Sequence, residues 1–129
     1  MILSEVMHVV RIIPLDQRPH IDPGIGLWEG DSRGRWEERT LVVETTNFNG
    51  KKRFRGATER VRMVERFTRL DADTIDYRLT VTDPASFERP WTLENPLRRA
   101  KGPMFEFACH EGNYSMTGIL AGARAEEQK

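Results

Sequence analysis

An all-β fold is expected for this chain: an antiparallel up-and-down meander of about eight strands, closing into a barrel and followed by a short C-terminal helix. Three observations predict it. Residues 61–93 read VRMVERFTRL, TIDYRLTVTD and FERPWTL, alternating runs separated by the turn signals Asp71-Ala72-Asp73 and Pro84-Ala85-Ser86. Runs rich in β-branched and aromatic residues recur on either side, at 6–15, 40–48 and 104–111. Clusters of Gly, Pro, Asn and Asp lie between them and punctuate the strands.

Residues 6–15 (VMHVVRIIPL) are predicted as a first strand, ended near Pro14, which has no N–H to donate. His8 within it reads as a structural residue. Residues 16–26 (DQRPHIDPGIG) form an irregular loop, with His20 expected in solvent. After Trp28 a turn is predicted over Gly30-Asp31-Ser32-Arg33-Gly34. Its glycines do not fit a phosphate loop, which needs a preceding strand, a following helix and a Lys-Ser/Thr pair. Trp36 and Glu37 lead into a tight turn at Glu38-Arg39.

Residues 40–48 (TLVVETTNF) place Leu41, Val43, Thr45 and Asn47 on one face and Val42, Glu44, Thr46 and Phe48 on the other. Either face can be the inner one, and Asn47 is a candidate cavity amide only if the first is. Residues 49–58 are polar with two glycines and read as a loop or flap. Beyond the meander, Asn95-Pro96 and Lys101-Gly102-Pro103 bracket a connection to the run MFEFACHE at 104–111. Phe105, Phe107 and Cys109 are expected on its core face. His110 then faces outward unless a bulge re-aims it, so its place as a candidate site residue stays open. The remainder is expected to form a short helix or lid.

Within the meander, closing the first hairpin at Asp71-Ala72-Asp73 sets Phe67 opposite Tyr77, Glu65 opposite Leu79 and Met63 opposite Val81. That face is mostly apolar. The other carries Arg62, Val64, Arg66, Thr68, Asp76, Arg78, Thr80 and Thr82 and is expected to be wet. Closing the second turn at Asp83-Pro84-Ala85-Ser86 sets Arg89 opposite Val81, Trp91 opposite Leu79 and Leu93 opposite Tyr77. Glu65 and Arg89 then both point inward, diagonal across one strand. An unpaired charge there costs several kcal/mol, so each must be met by a partner, water or a ligand. Two readings stay open: a structural ion pair, or the polar floor of an apolar cavity.

The 129 residues are expected to form one domain spanning 1–129. Twenty basic residues balance twenty acidic ones, so neither a nucleic-acid nor a membrane-surface partner is expected. The lone Cys109 excludes an internal disulfide. No apolar run approaches the ~20 residues of a membrane span. Adjacent Cys109, His110 and Glu111 cannot all face one metal, and no metal-ligand spacing is present, so neither metal nor cofactor is expected.

At HVVRIIPLDQRPH, GDSRGRWE, LVVETTNF and ACHEGNY the chain resembles a poorly characterised protein family abundant in soil bacteria. The resemblance runs from about His8 to Glu127. In longer members this region is the C-terminal portion, often behind an export signal. As written, the chain has no such signal and is expected in the cytoplasm. Glu38-Arg39 stands where the family usually carries Gly-Asp, which bears on the turn, because glycine is the residue that tolerates a positive φ. The family implies no reaction. In architecture the predicted meander is similar to lipocalin-like (calycin) barrels, and this analogy implies a fold and no function.

The function expected from the residues is the binding of a small apolar or aromatic molecule inside the barrel. Cofactor-independent acid/base chemistry of the lyase, isomerase or cyclase kind is one form of it. Glu65 would be its general base or acid, and Arg89 would stabilise an oxyanion or grip a carboxylate. Phe67, Tyr77, Leu79 and Trp91 would shape the pocket. The alternative is a carrier or sensor in which Glu65 and Arg89 only recognise the ligand. A homodimer is compatible with either, two-fold pairing being the commonest assembly.

Overall fold

The computed structural model describes residues 1–6, 9–51, 54–105 and 114–127. Its strands are β1 (Ile2–Leu3), β2 (Val10–Arg11), β3 (Asp31–Glu37), β4 (Thr40–Thr46), β5 (Arg62–Arg69), β6 (Thr74–Thr82) and β7 (Trp91–Arg98), followed by the helix α1 (Ser115–Glu127). β1 and β2 form a two-stranded antiparallel sheet. The other five form an antiparallel meander in chain order, β3-β4-β5-β6-β7, so the all-β expectation holds. Among the described residues this sheet is open, with β3 and β7 at its edges.

The chain divides into two compact units, one of Met1–Leu3 with Val10–Pro103, the other of Ser4–Val9 with Met104–Lys129. In the second unit the Phe105 amide donates to Glu5 Oε1 at 2.9 Å. α1 carries Met116, Ile119 and Leu120 exposed, the first two 68% and 65%. Met104 and Phe105 belong to no strand, and the rest of the predicted strand, His110 included, lies outside the described residues.

The β5–β6 hairpin has the predicted register, with Met63 opposite Val81, Glu65 opposite Leu79 and Phe67 opposite Tyr77. Its turn is fixed locally: Asp71 Oδ1 accepts the Asp73 amide at 2.8 Å, and the Leu70 amide donates to the Thr74 carbonyl at 3.0 Å. The β6–β7 register is shifted by two residues from expectation. Trp91 faces Val81 and Leu93 faces Leu79. Asp83 is the cause. Its carbonyl accepts the Ser86 and Phe87 amides, and its buried carboxylate accepts Ala85 N at 3.1 Å and Thr58 N at 2.6 Å. The connection therefore continues through Phe87 to Pro90, which has no N–H for a ladder, and β7 starts only at Trp91.

The predicted turn over residues 30–34 is strand instead, as β3 begins at Asp31. Its polar side chains have partners that a strand permits: Ser32 Oγ meets Thr45 Oγ1 at 2.9 Å, and Asp31 is bonded as described below. Gly34 serves close packing here. A Cβ built on it would lie 2.6 Å from Leu15 Cδ2 and 2.7 Å from Ile13 Cγ2. Of the first predicted strand, Val10–Arg11 is strand, Met7 and His8 lie outside the described residues, and residues 12–15 run beside β3. Pro14 contributes only its carbonyl, accepting the Gly34 amide at 2.9 Å.

One row of register partners crosses the inner face of the sheet: Gly34, Val43, Glu65, Leu79, Leu93. The core beside it is Ala57, Val61, Leu79 and Val81, packed by Phe48, Met63, Tyr77, Phe87 and Trp91. β4 is buried on both sides, with Val42 and Val43 each 0% exposed. Val42 faces outward between its partners Arg35 and Arg66, whose guanidinium groups share Glu37 at 2.7 and 2.8 Å. Arg62 with Glu44 and Arg78 with Asp76 continue this charged outer lattice.

Candidate functional site

Side chains from the inner face, from Arg11 and from the loops around Glu29 and Phe54 enclose a cavity of about 310 Å³. Phe48, Phe54, Val61, Met63 and Leu79 make its apolar wall. Its polar groups are Arg11, Thr45, Glu65 and Tyr77, with Glu29 and Arg55 also lining it. The volume is at the small end of ligand pockets.

Glu65 is 7% exposed and sits at mid-strand, where period-two alternation turns it inward. Arg11 meets it with both terminal nitrogens, Nη1 to Oε1 at 3.2 Å and Nη2 to Oε2. Tyr77, on the neighbouring strand, donates its hydroxyl to Oε1 at 3.0 Å. All three bonds come from donors, which suits an ionised carboxylate, and the paired arginine neutralises it. Burial first, and then the charge of Glu65, push the Tyr77 pKa well above the ordinary 10.0, so the phenol stays protonated. Arg11 Nε is buried with no hydrogen-bond partner among the described residues.

Behind Phe54 an aromatic cluster joins three elements. Phe54 stacks on Trp91 with ring centres 6.2 Å apart, and Phe87 meets Trp91 edge-on at 5.9 Å. The flap carrying Phe54 is held by Asp83, whose Oδ2 takes both Thr58 N and Thr58 Oγ1. The Thr58 amide bond, ahead of the other contacts, holds the Asp83 carboxyl below the usual aspartate value.

The structure thus brings Glu65, Tyr77 and Leu79 together at one cavity. Phe67, opposite Tyr77 in the register, tilts against its ring at 5.0 Å without lining the cavity, and Trp91 backs Phe54. Arg89 is a correction: the longer β6–β7 connection leaves it exposed and outside the ladder, and Arg11 takes the place expected of it beside Glu65. Asn47 is a second correction. At φ 57° it ends β4 and donates to the carbonyls of Asp22 at 2.9 Å and Ile25 at 3.2 Å, stapling that loop instead of entering the cavity. The role of Arg11 is not legible in the sequence because its partner is 54 residues away. Its signal was an arginine inside the apolar run VMHVVRIIPL.

A second polar cluster lies on the outer side. Buried Asp31 accepts His20 Nδ1 at 2.7 Å, Ile21 N at 3.3 Å and Arg33 Nη1 at 2.6 Å. His20, expected in solvent, is therefore a clasp for its loop. Among the described residues no group of three or more His, Cys, Asp or Glu is placed to hold a metal, and no helix is long and apolar enough to cross a membrane. Comparison with known proteins gives no match, whether to a family model, a curated protein or a solved structure.

Proposed function

We propose that this chain binds a small apolar or aromatic molecule in the cavity over Glu65. The carrying observation is an apolar, aromatic wall facing an Arg11–Glu65–Tyr77 floor within about 310 Å³. Few, convergent polar groups in an apolar pocket are the usual form of such a site. Between the two forms of this reading, the geometry favours binding over acid/base turnover. Glu65 already accepts three donors, and moving a proton would require breaking its pairing with Arg11.

Two further statements belong to the same proposal. The meander β3 to β7 is the wall of a lipocalin-like barrel, supported by its unbroken up-and-down order. The chain is one of the soil-bacterial proteins it resembles, supported by the runs GDSRGRWE, LVVETTNF and ACHEGNY.

The test is thermal shift of the full chain against one- and two-ring aromatic compounds, beside the cavity-filling variant Met63→Trp. A ligand at a hundred times its Kd adds about 2.7 kcal/mol to stability. Wild type should be stabilised by at least one class and Met63→Trp by none. Equal shifts in both proteins would move the ligand out of this cavity.

A further inference from the structure

Resting on that binding reading, we propose that the ligand is a neutral aromatic alcohol, its hydroxyl set against Glu65, Tyr77 and Arg11. The inference comes from counting protons and lone pairs at the floor. Tyr77 commits its only hydroxyl proton to Glu65 Oε1, so toward a ligand its oxygen acts as an acceptor. Glu65 Oε1 already takes two donors, Tyr77 and Arg11 Nη1. Oε2 takes one, Arg11 Nη2, although a carboxylate oxygen has room for two. Each terminal nitrogen of Arg11 gives one proton to Glu65 and carries a second. The floor therefore offers acceptors and a donor together.

Each common polar group can be set against that offer. An ether or ketone accepts from Arg11 but leaves the oxygens of Glu65 and Tyr77 facing its own lone pairs. A carboxylate adds a third negative charge to a cavity whose two lining carboxylates, Glu29 and Glu65, already balance the guanidinium groups of Arg11 and Arg55. An ammonium satisfies the acceptors but meets the Arg11 charge. A hydroxyl donates and accepts through one atom, so it answers both sides. Phe48 and Phe54 supply a flat wall for the ring. A cavity of about 150 Å³ takes benzene, and this one is roughly twice that, room for one or two rings.

The experiment is calorimetric titration of the full chain with three probes of one shape: 2-naphthol, 2-methoxynaphthalene and 2-naphthoate. Naphthol should bind at least tenfold more tightly than either of the others. In Tyr77→Phe, which keeps the ring and loses the acceptor, naphthol should weaken and the ether, freed of the opposing lone pair, should tighten, so that naphthol's advantage over the ether falls below threefold. An ether or carboxylate binding as tightly as naphthol overturns the hydroxyl assignment and leaves the binding reading standing. A naphthol preference undiminished in Tyr77→Phe overturns the assignment as well. No binding by any of the three overturns both.

Discussion

Two of the buried carboxylates, Glu65 on β5 and Asp83 just past β6, are satisfied in opposite ways. Asp83 is 1% exposed and is held at short range by main-chain amides of Thr58 and Ala85, with the Thr58 hydroxyl added. Glu65 is 7% exposed and, among the described residues, is held by side chains alone, from Arg11 and Tyr77, beside open volume. Main-chain donors cannot leave without unfolding their loop. Side-chain donors can rotate and share. The first arrangement makes a fastener, and the second makes a network with room to accept a further group, as the binding proposal requires.

The largest expected effect breaks the second arrangement. Arg11→Met strands Glu65 in the interior and should cost about 3–5 kcal/mol. Adding Glu65→Gln to Arg11→Met removes the orphan charge while keeping an acceptor for Tyr77, and should recover most of that loss. Urea denaturation of the three proteins measures both steps. If Arg11→Met were as stable as wild type, Glu65 would not depend on its partner.

Asp83→Asn breaks the fastener. It should lower Tm by roughly 5 °C at neutral pH. Because the folded carboxyl titrates below 3.8, its stabilisation is complete above that unfolded value and is lost as pH falls through the depressed one. The Tm gap between wild type and Asp83→Asn should therefore close in acid, and a gap constant from pH 7 to pH 3 would contradict the depressed titration.

Tyr77 tests the same linkage with the opposite sign. Its folded pKa lies above 10.0, so its contribution is full below pH 10.0 and is lost as pH rises through the folded value. Tyr77→Phe should lose about 1–2 kcal/mol at pH 7, and the difference from wild type should shrink in alkali. The smallest effect lies away from both carboxylates. Glu38 turns the β3–β4 hairpin at φ 53°, and Glu38→Gly should gain about 0.5–1 kcal/mol. A loss of stability there would mean that the side chain has a role of its own.

What could be read from the sequence follows the reach of the interactions. Asp71 and Asp73 close their hairpin within the turn, so the β5–β6 register and the inward aim of Glu65 and Tyr77 were legible. The β6–β7 register depends on Asp83 reaching Thr58, 25 residues back, and a reading based on the turn alone put Arg89 in the ladder. Gly34 looked like turn chemistry because nothing nearby announces that Ile13 and Leu15 need its missing Cβ. The partner of Glu65 was hidden for the same reason.

Gly34 has one more consequence. It stands two partners from Glu65 in the row crossing the inner face, and Ile13 and Leu15 rest in the notch it leaves. Arg11 belongs to the same short segment. Filling the notch with a methyl would lift the segment that delivers the guanidinium, so the cavity could lose its charge balance while every lining residue stayed unchanged. The site's electrostatics thus rest on a hydrogen atom at position 34, and under the binding proposal variation there would tune affinity from outside the pocket.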